Sequence, residues 1–330
     1  MNDQRVNELE KIITTKYTNI AGIVALKKGA VYYEKYFNQC VATSRLHVYS
    51  VAKSIISVLI GIAIDKGLIK SINQKVLEFF PDYVVRKREK TLQKVTLKDM
   101  LTMTAPYKYK FSPYTYIRYF MSDDKAKFSL DLLGGKGKIG DFKYTPLVGP
   151  DILSAILVKV TGKSVLDFAT ENLFTPLGIN VEGNVVLHNA KEQSAFNKAT
   201  TISGWVVDNV GTNSGGWGLT LSAFDMAKIG QLYLNNGMWG DKQIVSREWL
   251  NETTKVHSQW EKNNLKYGFL WWIIDGKEGI YSAMGDGGNV IYVNTEKEIV
   301  VSIASLYKPK VEDRIEFIKE YIEPLLIDVD

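Results

Sequence analysis

Strand-forming residues gather at the two ends of this chain and helix-forming residues fill its middle, and that distribution restricts the fold more than any other feature. Near the N-terminus, AGIVALKKGAVYYEKYF (21–37) sets two apolar, β-branched and aromatic runs around Lys28-Gly29, the pattern of a β-hairpin. Near the C-terminus, YGFLWWIID (267–275), IYSAMG (280–285), NVIYV (289–293) and EIVVSIAS (298–305) read as strands. Helical spacing of apolar residues marks 5–16, 50–68, 97–104, 150–161, 164–173, 222–235 and about 311–325. Strands at both ends with helices between them suggest one antiparallel sheet built from both termini. The expected class is therefore α+β, a single domain over 1–330 with no internal repeat. Its sheet lobe comprises 1–75 plus 215–330, its mainly helical inserted lobe 76–214, and a cleft runs between them.

At 330 residues, with 45% hydrophobic and 23% charged side chains, the chain can bury a substantial core and has an ordinary globular composition. The net charge of +5 is spread along the sequence. Its densest run, Arg86 to Lys90, has no interleaved aromatic residues, so it reads as a solvated helix face or loop rather than a nucleic-acid site. A single cysteine, Cys40, allows no intrachain disulfide, and His47, His188 and His257 fall in no zinc-ligand spacing. The first residues, MNDQRVNELEKII, lack an apolar signal segment. A cytoplasmic protein is the expectation for the chain as given, with an exported form whose signal has been removed left open. Ile55 to Ile64, about half a membrane span between Lys53 and Asp65, reads as a buried helix.

The pattern Ser-x-x-Lys occurs three times, and context separates the copies. Ser122-Asp-Asp-Lys125 is a polar, acidic loop, and Ser305-Leu-Tyr-Lys308 runs into Pro309, so neither lysine is offered desolvation. Ser50-Val-Ala-Lys53 instead opens a strongly apolar helix, placing both side chains on one face a turn apart. A lysine packed there loses hydration and favours its neutral form, which makes it a usable base for the neighbouring hydroxyl. Backbone N–H groups at the helix start stand ready for an oxyanion. The alternative is an N-cap serine followed by a solvent-facing lysine, and these residues alone do not decide between the two.

The surrounding segment, YSVAKSIISVLIGIAIDKGLI, resembles the nucleophile helix of the penicillin-recognising serine hydrolases. The branch is the one with class C β-lactamases, related esterases, D-aminopeptidases and 6-aminohexanoate-dimer hydrolases. The resemblance continues in family order through SINQKVLEFFPDY (71–83), VTLKDMLTMT (95–104), the 142–179 segment, SGGWGLTLSAFDMAKIGQLYLNNGMW (214–239), YGFLWW (267–272) and MGDGGNVIYVNTEKEIVVSIAS (284–305). It implies a β-lactamase/transpeptidase-like fold and a serine hydrolase of esters or amides working through an acyl-enzyme, with no cofactor and a small or peptide-like substrate. A penicillin-binding D,D-peptidase or β-lactamase is one alternative within the family, and a catalytically silent binding protein of the same fold is another.

Residue by residue, the resemblance assigns Ser50 as nucleophile, Lys53 as base and Tyr144 as proton relay, with Tyr107 and Tyr109 as fallbacks. The family's Tyr-x-Asn here reads Tyr144-Thr145-Pro146, so the amide that would help orient Lys53 is missing. The third family motif falls on Asp286-Gly287-Gly288-Asn289. The resemblance puts the Asn289 N–H in the oxyanion hole beside that of Ser50, with Gly288 and Asp286 against the substrate. An aspartate where the family carries a basic or neutral residue would repel a substrate carboxylate by about 1 to 4 kcal/mol at a few ångströms. Poor β-lactam turnover is the expectation, and neutral or amine-bearing esters and amides fit better. An Asp286 that only caps its turn is the other reading. Trp205, Trp217, Trp271 and Trp272 either line an acyl pocket or fill the core, with Trp217 the candidate for the site. Gly135-x-Gly137-x-x-Gly140 follows no strand and reads as a flexible loop leading to Tyr144, not a dinucleotide site.

Overall fold

The computed structural model describes residues 3–85, 89–109 and 112–327. Its centre is an eight-stranded sheet. The strands are β1 (Ile20–Lys27), β2 (Ala30–Tyr36), β3 (Ser258–Trp260), β4 (Leu265–Tyr267), β5 (Trp272–Asp275), β6 (Ile280–Gly285), β7 (Asn289–Asn294) and β8 (Ile299–Ser305). The order is β2-β1-β8-β7-β6-β5-β4-β3, antiparallel throughout. The first and last strands of the chain lie side by side, with Ile23 opposite Ile303, so both ends build one sheet as their pattern requires.

Alternation along the strands divides the core. Ile299, Val301 and Ile303 face a cluster with Leu9 and Ile13 of the Asp3–Thr15 helix and with Phe317, Ile318 and Ile322 of the C-terminal helical run. Val300 and Ala304 face the other way, against the helices Val51–Asp65 and Ala223–Leu234. The period of two thus assigns each residue to one of two helical layers. Ser222 starts its helix by accepting from the Asp225 N–H while the Asp225 carboxylate accepts from the Ser222 N–H, and Asn236-Gly237 leave it with positive φ.

Pro113–Phe120, Lys125–Leu132, Val148–Thr161, Val165–Ala169 and Ala190–Lys198 come from the middle of the chain, and Arg247–Thr253 packs on the Val51–Asp65 helix. The architecture is α+β, as expected. No helix among the described residues is long and apolar enough to cross a membrane.

Two local expectations are corrected, and a third is tested only in part. YGFLWWIID is not one strand: Gly268 to Trp271 break away, because the Phe269 and Leu270 N–H groups donate to the carbonyls of Thr253 and Leu101 instead of a neighbouring strand. Of the basic run, Arg86 to Arg88 lie outside the described residues, while Glu89 is 9% exposed. The Glu89 carboxylate accepts from the N–H groups of Leu92 and Gly135 and pairs with Lys108, while Lys90, the one basic residue of the run that is described, is exposed. The same bonds anchor the Gly135–Gly140 loop, whose far end is held by Gly140 N–H donating to the Thr104 carbonyl. It is a tethered loop, not a free one.

Candidate active site

The segment leading to Ser50 is fixed before the helix begins. Leu46 and His47 pair with Leu221 and Thr220. The His47 ring is wholly buried, and its Nε2 accepts from the Gly218 N–H at 2.8 Å, which leaves the Nδ1 proton for Asn197 Oδ1 at 2.9 Å. Burial pushes this imidazole down to about 3, so it stays neutral and serves as a tie rather than a base. Tyr49 then takes a left-handed backbone, φ 49°, with its ring between His47 and Tyr307. Unusual backbone at that position turns the chain abruptly into the helix and leaves Ser50 at its mouth.

Ser50 occupies the N-cap position, yet its side chain caps nothing. The hydroxyl Oγ accepts from Lys53 Nζ at 2.6 Å, and Nζ also donates to the Gly216 carbonyl at 3.1 Å. Lys53 is 1% exposed. Loss of hydration lowers its pKa from 10.5 to about 7, while the negative charges of Asp286 and Asp151 pull the other way. Of the two readings open for this serine and lysine, the solvent-facing lysine is excluded. The N–H of Ser50 is taken by no backbone carbonyl among the described residues.

Gly216 answers what orients the lysine in the absence of the Tyr-x-Asn amide. Its backbone lies against Pro146: a Cβ at Gly216 would come within 2.4 Å of the Pro146 carbonyl, and one at Gly215 within 2.2 Å of that of Pro150. Only glycines allow this approach. Beneath it, Asp151 is 1% exposed and accepts from the Gly215 N–H at 2.9 Å and from the Tyr119 hydroxyl at 2.6 Å. Trp217 Nε1 in turn donates to Tyr119 at 3.1 Å. Burial pushes the Asp151 carboxyl up to about 7, against the pull of these two donors. Sequence reasoning missed Gly216, Asp151 and Tyr119. Gly-Gly within SGGWG was the available signal for close backbone approach, whereas nothing local distinguishes Asp151 from other helix aspartates.

Tyr144 reaches the same centre. The Lys53 ammonium nitrogen lies 5.2 Å from its ring centroid, and the Trp272 ring packs at 5.5 Å on it. Burial drives its phenol well above the usual range, opposed by the hydrogen bond with Ser50. Tyr107 and Tyr109 lie apart, the first directed at Met100 and both rings near Lys143. A cavity of about 350 Å³ opens over Ser50, with Pro146, Gly216, Trp217, Asp286 and Tyr307 in its walls. Trp205 and Trp271 are fully buried in the main core and Trp272 backs Tyr144, so of the four tryptophans only Trp217 lines this cavity.

The third motif divides. Asp286 is exposed at the cavity mouth, and no capping bond engages its carboxylate among the described residues. Gly285 sits beside the nucleophile, since a Cβ there would fall 3.2 Å from the Ser50 nitrogen. Asn289 and Gly288 do not meet the cavity. The Asn289 side chain is fully buried, donating to the Asp286 carbonyl at 2.9 Å and accepting from the Ser305 N–H at 3.0 Å. Gly288, φ 88°, packs against the Arg314 guanidinium and accepts from the Ser305 hydroxyl. The Asn289 side chain and the Gly288 carbonyl thus hold the turn behind the cavity. The turn is further held by Asn19, which donates to the Gly287 carbonyl at 2.7 Å and accepts from Arg314 Nη2 at 2.6 Å. Among the described residues no cluster of three or more His, Cys, Asp or Glu side chains is arranged to hold a metal.

Chemistry of this kind on a sheet so ordered belongs to the serine hydrolases of ester and amide bonds. The chain is a member of the β-lactamase family, whose profile, described as Beta-lactamase, matches residues 10–319. It is 21% identical over 329 residues to a 6-aminohexanoate-dimer hydrolase of Paenarthrobacter ureafaciens, covering 92% of this chain and 77% of that one. Among solved structures it is similar to the octameric penicillin-binding protein homologue from Pyrococcus abyssi, with a TM-score of 0.71, 19% identity, and coverage of 97% and 76% of the two chains. It is likewise similar to a family VIII carboxylesterase, with a TM-score of 0.71, 15% identity, and coverage of 97% and 96%.

Proposed function

We propose that Ser50, Lys53 and Tyr144 form the catalytic centre, and that the chain hydrolyses neutral or amine-bearing esters or amides through an acyl-Ser50 intermediate. One observation carries the reading: a wholly buried amine, lowered to about 7, donates to the hydroxyl beside it at 2.6 Å. Neutral Lys53 takes the Ser50 proton as Oγ bonds to the substrate carbonyl carbon. The oxyanion is held by the backbone N–H of Ser50 and, because Gly285 lies against it, by that of Asp286 in place of Asn289. Tyr144 passes the proton to the leaving group as the carbon–heteroatom bond breaks. Water then adds to the acyl carbon and Ser50 is released with the acid. The chain acts as one unit whose sheet lobe supplies Ser50 and Asp286 and whose inserted lobe supplies Tyr144.

Similarity to a 6-aminohexanoate-dimer hydrolase and to a family VIII carboxylesterase supports hydrolysis of an ester or amide. The exposed Asp286 carboxylate at the cavity mouth supports a substrate without its own carboxylate there. The test is intact-mass analysis after treatment with a fluorophosphonate and, separately, with a penicillin, followed by peptide mapping. One phosphonyl adduct on the Ser50 peptide, none in Ser50→Ala, and no lasting penicilloyl adduct are expected. Equal ester turnover in wild type and Ser50→Ala would remove the proposal in favour of a silent protein of this fold. A persistent penicilloyl-Ser50 would move it to the penicillin-binding alternative.

A further inference from the structure

The cavity over Ser50 does not end at Trp217. A second cavity of about 370 Å³ adjoins it, and the two share Tyr116, Phe120, Gln193 and Trp217 as walls. Beyond them the second cavity is lined mostly by apolar side chains, Ile117, Leu187 and Val207 among them, together with the polar Lys125, His188 and Asn189, and no carboxylate borders it. Ile117 and Phe120 stand three residues apart on the Pro113–Phe120 helix, so they face the same side. Ile117 is 57% exposed, a large apolar side chain left in water at the rim of a mostly apolar hollow.

The orientation of a substrate follows from the ring contacts. Tyr144, which protonates the leaving group in the mechanism above, packs on Trp272 and Tyr267. Trp217 packs instead on Phe120 and His47. Tyr144 meets Ser50 from the side of Lys53 and Trp272, whereas Trp217 lines the cavity over Ser50, so a leaving group beside Tyr144 directs the acyl group toward Trp217 and the second cavity. We infer that this cavity is an acyl-chain subsite, and that the preferred substrates are esters or amides of medium-length, unbranched apolar acids. The inference rests on Ser50 being the nucleophile.

The test is the dependence of kcat/KM on acyl length in p-nitrophenyl esters from acetate to octanoate. Each buried methylene raises kcat/KM about threefold to fourfold, so octanoate, four methylenes longer, should exceed butyrate by on the order of 80-fold to 250-fold. Ile117→Asp, at an exposed position that leaves folding intact, and Leu187→Asp should flatten that slope while acetate turnover stays at the wild-type rate. A flat series in the wild type, or an unchanged slope in both variants, overturns the inference. Acetate turnover that survives in Ser50→Ala refutes the nucleophile assignment instead. In that event 2-decanone, which carries a comparable chain and cannot be cleaved, still decides the subsite. Saturable perturbation of tryptophan emission, absent with acetone and lost in Ile117→Asp, upholds it, and no perturbation overturns it.

Discussion

The charge state of Lys53 should be legible in the pH dependence of acylation. A solvated lysine at 10.5 is neutral in only about three molecules in ten thousand at pH 7, whereas a group at about 7 is neutral in about half, a gain on the order of 10³ in usable base. The second-order rate of fluorophosphonate labelling should therefore rise about tenfold per unit below pH 6 and level off above about pH 8. Asp151 sharpens the test, because its carboxylate charge raises the lysine and its own carboxyl, pushed up to about 7, ionises over the same interval. The two titrate as a coupled pair in the wild type. Asp151→Asn removes that charge, so the ascending limb should move to lower pH and follow a single titration. A wild-type rate that keeps rising tenfold per unit through pH 9 would show a lysine that is not desolvated. A limb that stays put or moves upward in Asp151→Asn would refute the electrostatic account. The sign for stability runs in parallel. The unfolded chain binds more protons at Lys53 between about 7 and 10.5, so this group makes the native state more stable as pH rises through that window.

Two further outcomes follow from the same geometry. Asp286→Asn removes an exposed charge at the cavity mouth, so acylation by a penicillin should increase by about threefold to tenfold, the worth of about 1 kcal/mol for a solvent-screened charge, and the limb of the pH profile should again move down. Stopped-flow acylation rates check both, and an unchanged penicillin rate would remove Asp286 from substrate selection. Gly61→Ala should lower stability by about 2 to 3 kcal/mol despite alanine's better helix propensity. Its Cβ would lie 2.1 Å from the Trp249 indole, which is held by its N–H to the Ser57 carbonyl. A thermal melt unchanged from wild type would contradict that packing.

Much of the architecture was written in local pattern. The strand-like runs at both ends of the chain did pair in one sheet, and the apolar run after Ser50 did form a buried helix. The 267–275 strand failed because its break is set by hydrogen bonds to Thr253 and Leu101, which pattern in the strand itself cannot report. For the site, Ser50, Lys53 and Tyr144 came from spacing, helix context and resemblance, and the coordinates bring them together.

By itself the sequence determined which side chains are available and on which face of a helix or strand each stands, since these follow from the fixed periods of the backbone. Tertiary structure alone decided that Lys53 is dry, that the Gly216 carbonyl replaces a missing amide, that Asp151 and Tyr119 support Gly215, and that Asp286 rather than Asn289 meets the cavity. Desolvation and hydrogen-bond partnership depend on whatever segment the fold brings from far along the chain. Gly216 stands 163 residues from the lysine it orients.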